Sequence, residues 1–453
     1  MSWLSGAHRV RSQWRDRPGI AALAPRTGVP PHPSGASSHT GSGRLLAVTN
    51  GPVVVVGIGA DGWDGLAEPS RRALLAADVI IGGPRQLDLL PAHVRAARRS
   101  WPSPLLPGIP AALAEHANSA LAILASGDPM FYGIGSTLAR LVGPSAFTVL
   151  PHPSSLSLAA ARLGWPIEDV DVVSLVGRPV ETLHPVVQPG RRVLALAADA
   201  EAPRQVAALL VARGYGSSTV TVLAQLDGPL EAISSMPATS MANDIDGVFD
   251  PLAVIGIECV ADDATVPLSR APGLPDDAFD TDGQLTKREL RVLALAALAP
   301  IPGQLLWDVG AGSGSVGIEW MRVHPANRSI AIEPREDRRA VIARNAAALG
   351  VPGLEVVAGE APDALAGLAE PDAVFVGGGV SGPGVVDACV AALHPGARLV
   401  AHAVTLETES VLAAWHAKMG GTLTRVSIQR AEPLGSFTTW RPALPVTQWS
   451  YLR

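Results

Sequence analysis

The run Leu305-Leu306-Trp307-Asp308-Val309 is followed at once by Gly310-Ala311-Gly312-Ser313-Gly314. A short apolar strand that ends in glycines lets the backbone turn sharply and approach a ligand closely. A helical pattern starts near Ser315, and after it the next predicted strand, 328–332, runs into Glu333. An acid there can accept hydrogen bonds from both hydroxyls of a ribose. The glycine spacing is GxGxG, not the GxGxxG of dinucleotide folds, and no P-loop lysine follows.

Strand, GxGxG, helix, strand and acid together are the pattern of an S-adenosylmethionine site in a methyltransferase. Two other readings compete with it. One is a plain strand-to-helix turn with a surface glutamate. The other is a nicotinamide site, which also places an acid on a ribose. Two weaker glycine loops lie upstream. Gly57-Ile58-Gly59-Ala60-Asp61-Gly62 follows the valine run that starts at Val53, and Gly127-Asp128-Pro129-Met130-Phe131-Tyr132-Gly133 follows the run 120–125. Either fits a structural turn, but both follow predicted strand C-termini, where open α/β sheets bind ligands. No Ser-His-Asp, Cys-His or metal-ligating constellation is evident. His402, at a predicted strand end, and Glu407, in the loop after it, are weak acid–base candidates that fit structural or surface roles equally well.

The elements that must position these residues alternate between strand and helix. Before residue 261 strands are predicted at 53–59, 78–82, 120–125, 147–150, 172–175, 191–197, 219–224 and 251–260, with helices at 66–77, 154–163 and 203–213. This argues for α/β architecture with a largely parallel sheet. The stretch 262–284, rich in Asp, Pro and Gly, reads as a linker. A helix over 286–299 follows, with Thr286 as N-cap and Glu289 at capping-box spacing. Strands at 305–309, 328–332, 354–358, 373–376 and 398–402, with helices at 314–322, 336–349 and 385–393, complete a second, doubly wound α/β domain. Residues 1–50 differ: Asp16 is their sole acid and no period persists, so disorder is expected, and an Arg-rich start also resembles a transit peptide.

Composition bounds the rest. Hydrophobic residues make up 47% and charged residues 17% of the 453 residues, enough for sizeable cores in two or three domains. A formal net charge of -6 gives no basic field for nucleic acid or anionic membrane. No apolar run reaches the roughly 18 residues of a membrane span, so a soluble, cytoplasmic chain is expected. Cys259 and Cys389 sit in apolar stretches and read as buried free thiols.

The segment 54–63, Asp78-Val79-Ile80-Ile81-Gly82-Gly83-Pro84-Arg85, the Gly127 loop and His152-Pro153-Ser154-Ser155 resemble the corrin and porphyrin tetrapyrrole methyltransferases over 52–261. The version is similar to the C5-methylating half of precorrin-6Y methyltransferases. Gly283-Gln284-Leu285-Thr286-Lys287-Arg288-Glu289, the Gly310 loop, Gly359-Glu360-Ala361-Pro362 and Phe375-Val376-Gly377-Gly378-Gly379 resemble the decarboxylating half of the same family, which occurs split or fused. The resemblance implies a tetrapyrrole methyltransferase domain of two α/β lobes (51–261), then the linker and a Rossmann-like class I methyltransferase domain (285–453). It implies S-adenosylmethionine at two sites, a precorrin substrate and a homo-oligomer. Methylation at carbon 5 would belong to the first domain. Methylation at carbon 15, with decarboxylation of the carbon 12 acetate, would belong to the second. Cofactor contacts would fall on Gly57, Gly59, Gly127, Asp128, Met130, Phe131, Ser154 and Ser155 in the first domain. In the second they would fall on Thr286, Gly310, Ala311, Gly312, Ser313, Gly314, Glu333 and Ala361. Arg288, Arg291 and Arg322 would be cations for substrate carboxylates, or members of solvated helix faces.

Overall fold

The computed structural model describes residues 53–244 and 246–453, so the expected disorder over 1–50 lies outside the described residues. The first sheet contains β1 (Val53–Ile58), β2 (Val79–Gly82), β3 (Ala97–Ser100), β4 (Leu121–Ser126) and β5 (Phe147–Leu150). Its order is β3-β2-β4-β1-β5, and every neighbouring pair is parallel. The valine run of β1 explains itself. Val53 and Val55 pack with Ile81, Ile109 and Ile123 on one face, while Val56 and Ile58 pack with Leu74, Ile80 and Leu124 on the other. Side chains alternate across a strand, so an unbroken apolar run buries both faces.

The second sheet contains β6 (Val170–Ser174), β7 (Arg192–Leu196), β8 (Thr219–Ala224), β9 (Ala232–Pro237) and β10 (Ala253–Glu258), in the order β6-β7-β10-β8-β9. Only β6 and β7 run parallel; the other three pairs are antiparallel. This corrects the expectation of a largely parallel sheet for this lobe. The connection 225–231 between β8 and β9 is too short for the crossover that a parallel pair needs. Strand direction is not written in apolar runs.

The third sheet contains β11 (Leu305–Val309), β12 (Arg328–Glu333), β13 (Glu355–Ala358), β14 (Ala373–Val376), β15 (Arg398–Ala403), β16 (Thr422–Val426) and, past a hairpin of β17 (Gln429–Leu434) and β18 (Phe437–Pro442), β19 (Val446–Leu452). The order is β13-β12-β11-β14-β15-β19-β16. The first five strands are parallel, and β19 lies antiparallel between β15 and β16. Strand order therefore reverses between β11 and β14, the crevice where doubly wound sheets bind ligands. The strands expected from 305 to 402 are all present, with ends shifted by a residue at most.

The stretch 262–284 holds one short 3-10 helix, Asp276–Ala278, yet its end is firmly packed. Glu319 accepts the N–H groups of Gly273 and Leu274 at 2.6 and 3.0 Å. Arg291, fully buried, donates to Glu319 (2.9 Å), Asp276 (2.8 Å) and the Thr286 carbonyl (2.6 Å). Removing one partner of such a pair costs about 3–5 kcal/mol, because it strands a buried charge. Thr286 is not the N-cap that its sequence position suggests. The helix is Arg288–Leu298, Lys287 precedes it without a side-chain cap, and Asp276 accepts from the Arg288 N–H at 2.9 Å instead. Glu289 pairs with Arg430 on β17 rather than closing a capping box.

The two halves meet at the end of the helix Glu336–Ala348. Arg213 donates to the Ala348 carbonyl at 2.9 Å. Gly350 has φ +82°, and a Cβ there would lie 2.5 Å from Pro185 Cδ and 2.6 Å from His184 Cβ. Burial, then the charge of Arg213, pushes His184 down to about 4. Arg322 is buried and donates to the Leu349 and Ser269 carbonyls. Both cysteines are buried free thiols, as expected, and burial pushes them up to about 11 and about 12. No helix among the described residues is long and apolar enough to cross a membrane.

Candidate active sites

A cleft of about 500 Å³ lies between the first two sheets. Its floor comes from the C-terminal ends of β1 and β4 and from the segment before the helix Ser155–Leu163. The facing lobe contributes Leu196 and Leu223 from the ends of β7 and β8. It also contributes Ala253 and Val254, because the antiparallel β10 starts there. Gly59, Gly127, Asp128, Phe131, Ser154 and Ser155 all line it. Asp128 Oδ1 accepts from the Met130 N–H at 2.8 Å and fixes the loop, and Ser154 caps its helix by accepting from Ser157 N at 3.1 Å.

Gly57 and Met130 do not line the cleft. A Cβ on Gly57 would lie 2.0 Å from the Gly127 carbonyl, so that glycine lets two loops touch. Met130 faces outward, 46% exposed. Two further residues stand behind Gly59. Asp61 Oδ2 and His152 Nε2 are 3.3 Å apart, both shielded from solvent, and a Cβ on Gly59 would strike both.

The second constellation surrounds the β11 switch point. The Gly310 and Ala311 N–H groups both point at the Ile332 carbonyl, at 3.0 and 3.2 Å. Gly310 has φ +68°, and its α-carbon faces the Gly378 backbone so closely that a Cβ would fall 2.8 Å from that carbonyl. Glu333, buried at the end of β12, accepts from Gly312 N at 2.9 Å through Oε2 and from Arg335 N at 3.1 Å through Oε1. Asn345 holds the Ser313 carbonyl at 3.0 Å, while Ser313 Oγ is buried without a hydrogen-bond partner among the described residues. A Cβ on Gly312 would lie 3.5 Å from the Gln284 carbonyl, so the segment leading to Thr286 passes beside the loop. Gly314 precedes the helix Ser315–Val323. Ala361 follows β13 at the same C-terminal edge of the sheet.

Asp308 is a participant that attracted no attention as a strand residue. Its Oδ2 accepts from Gly317 N at 3.0 Å, inside the first turn of the helix after the loop. Burial pushes its carboxyl up to about 7, with the Gly317 N–H opposing and the charge of Glu333 adding. The available signal was an ionisable residue inside an otherwise apolar strand directly before a glycine loop.

The acid–base candidates are otherwise engaged. His402 Nε2 bonds Gln448 Oε1 at 3.0 Å across the β15–β19 pair, its ring stands edge-on to Phe375 at 5.1 Å, and burial pushes its pKa down. Glu407 is exposed in the first turn of the helix Leu406–Met419, held below the usual carboxylate range by a backbone N–H and the Thr405 side chain. Arg291 and Arg322 serve the linker and the domain joint, leaving Arg288 as the exposed member of that trio.

Residues 52–234 match the family model of the tetrapyrrole (corrin/porphyrin) methylases, and residues 277–453 match that of the precorrin methyltransferase domain. A precorrin-6Y C(5,15)-methyltransferase [decarboxylating] from Sinorhizobium sp is 47% identical over 407 residues, covering 90% of this chain and 98% of its own. A protein of the same name from Mycobacterium tuberculosis is 47% identical over 399 residues, covering 88% and 99%. A solved C-terminal domain of precorrin-6Y C5,15-methyltransferase from Rhodobacter capsulatus is 49% identical, covering 41% of this chain and all of that one, with a TM-score of 0.39. With both halves matched in one order and nearly full length shared, this chain belongs to the family of decarboxylating precorrin-6Y C(5,15)-methyltransferases.

Proposed function

We propose that the two halves of this S-adenosylmethionine-dependent C-methyltransferase of cobalamin biosynthesis divide its work. The cleft of the first half binds one methyl donor and methylates carbon 5 of the precorrin. The glycine loop of the second half binds another, methylates carbon 15 and removes carbon dioxide from the carbon 12 acetate, giving precorrin-8X. The observation that carries this reading is the convergence of Gly310–Gly314, Glu333 and the free Ser313 Oγ at the switch point of the third sheet.

The residues fit the donor. Each oxygen of Glu333 already accepts one backbone N–H and has capacity for a ribose hydroxyl as well. Ser313 Oγ lacks a hydrogen-bond partner among the described residues. Gly312 and Gly314 add no side chains of their own to the loop, and the segment leading to Thr286 passes beside it. In the cleft, Gly59, Gly127, Asp128, Phe131, Ser154 and Ser155 offer backbone groups and an apolar wall. The donor supplies a methyl group already activated by its sulfonium.

The meso carbons of a reduced tetrapyrrole are enamine-like, because pyrrolic nitrogens push electrons onto them. Such a carbon needs in-line placement more than a strong base, and orientation alone can supply up to about 7–11 kcal/mol. Loops pinned to one geometry by hydrogen bonds suit that demand. For the decarboxylation the macrocycle itself can accept the electron pair, and the protein orients the acetate. This division accounts for acid–base candidates that are engaged in structure rather than poised for proton transfer.

The test is mass spectrometry of precorrin-6Y incubated with the full chain and labelled methyl donor. Two labelled methyl additions and one loss of carbon dioxide are expected. Tight binding of NAD with no response to S-adenosylhomocysteine would overturn the reading.

A further inference from the structure

Among the described residues that line the first cleft, only two carry formal charge, Arg85 and Asp128. Asp128 is occupied by its own loop through the Met130 N–H. Arg85 is not. Its Nη2 donates to Ser126 Oγ at 3.0 Å, an oxygen that also receives Gln86 Nε2 at 2.8 Å. Among the described residues it forms no other hydrogen bond and no ion pair. The acid across the cleft, Asp250, is turned to Gln225 Nε2 at 3.0 Å and to Leu252 N at 2.7 Å. Burial holds the Arg85 guanidinium below its ordinary range. The charge of Asp250 opposes that shift, but no carboxylate among the described residues is bonded to Arg85. A planar fork of donors thus stands in an apolar cleft without a directly bound anion, and such a fork selects carboxylates bidentately.

The position separates two sources of that carboxylate. The loops placed for the methyl donor follow β1 and β4 and precede the helix Ser155–Leu163. Arg85 follows β2, which lies beyond β4 on the side away from β1. It stands one strand outboard, on the side of the cleft that Trp101 and Leu105 also line. A tetrapyrrole has an apolar middle and carboxylates at its rim, which matches an apolar cleft with one cation at its border. We propose that Arg85 binds a rim carboxylate of the tetrapyrrole and sets which meso carbon faces the donor in the first half. This rests on the assignment of carbon 5 methylation to that half.

The test uses the full chain carrying Arg85→Gln, which keeps a donor for Ser126, and Arg85→Lys, which keeps charge without the fork. Steady-state carbon 5 methylation is read against tetrapyrrole concentration, and S-adenosylhomocysteine affinity is read by calorimetry. Arg85→Gln is expected to raise the tetrapyrrole KM about tenfold or more, with Arg85→Lys between it and the parent. S-adenosylhomocysteine affinity should stay within about twofold for both. An unchanged KM would overturn the proposal. An equal loss of S-adenosylhomocysteine affinity in both variants, at unchanged melting temperature, would overturn it too and give Arg85 to the donor's carboxylate. Failure of the underlying assignment looks different, since the parent chain itself would then add no methyl group at carbon 5.

Discussion

The first half builds its cleft from two sheets, whereas the second gathers its loop at one switch point. In the cleft, Gly59, Gly127, Ser154, Leu223 and Val254 come from distant stretches and meet only when both lobes have folded. In the second half a single βαβ unit carries the glycine loop, Asp308 and Glu333, whose carboxylates accept backbone N–H groups of that unit at 2.9–3.0 Å. A site of the first kind depends on the spacing of two bodies, and a site of the second kind on the geometry of one loop. Damage to each should therefore stay local.

The sharpest way to break the comparison is a reciprocal pair of variants. Gly312→Asp puts a β-carbon at φ +60° and a second carboxylate beside Glu333. It should cost carbon 15 methylation and decarboxylation on the order of 100-fold or more and leave carbon 5 methylation intact. Gly127→Val, at φ +56° with its Cβ 3.2 Å from Ser154 Cα, should do the reverse. Mass spectrometry of the products reads both, and loss of both methylations in either folded variant would end the claim of locality.

Asp308 sharpens the second half. Its carboxyl is held protonated up to about 7, above its ordinary 3.8, so its contribution to stability is whole at low pH and fades as pH rises through 7. Denaturant unfolding of the parent chain should show that loss, of several kcal/mol at most, and Asp308→Asn should abolish it. His184 probes the joint with the opposite sign. It is pushed from 6.5 down to about 4, so its contribution is present above 6.5 and is lost as pH falls toward 4. The loss, on the order of 3 kcal/mol at most, should vanish in His184→Asn when unfolding is followed between those pH values. Glu407→Gln should have the smallest effect, with both methylation rates within about twofold of the parent, because the carboxylate faces solvent from a helix end.

The same contrast explains what could be read without coordinates. The Gly310 loop and Glu333 were legible because one βαβ unit writes its site contiguously. Gly127, Asp128 and Phe131 were legible as a loop of turn formers, but Leu223 and Val254 were not. Leu223 faces the cleft because a second sheet closes over the first, and Val254 because β10 runs antiparallel, and neither packing nor direction leaves a mark on an apolar run. Arg85 lay in plain view in Gly82-Gly83-Pro84-Arg85 with nothing to show that it would stand in a cleft. The strands β16, β17 and β18 escaped because they are largely exposed and lack a buried face to print an alternation. Conversely Arg291 and Arg322 looked like surface cations, but carbonyls and a buried glutamate that the sequence does not place beside them draw both inward.

The contact at Gly350 bears on how closely the two halves can approach. His184 and Pro185 occupy the space that any side chain at 350 would need, and Arg213 is spent on the far end of the helix that begins three residues after Glu333. A β-carbon at 350 would have to push His184 and Pro185 away and with them the lobe that carries Arg213. The distance between the two halves is thus set at this corner by an absent side chain.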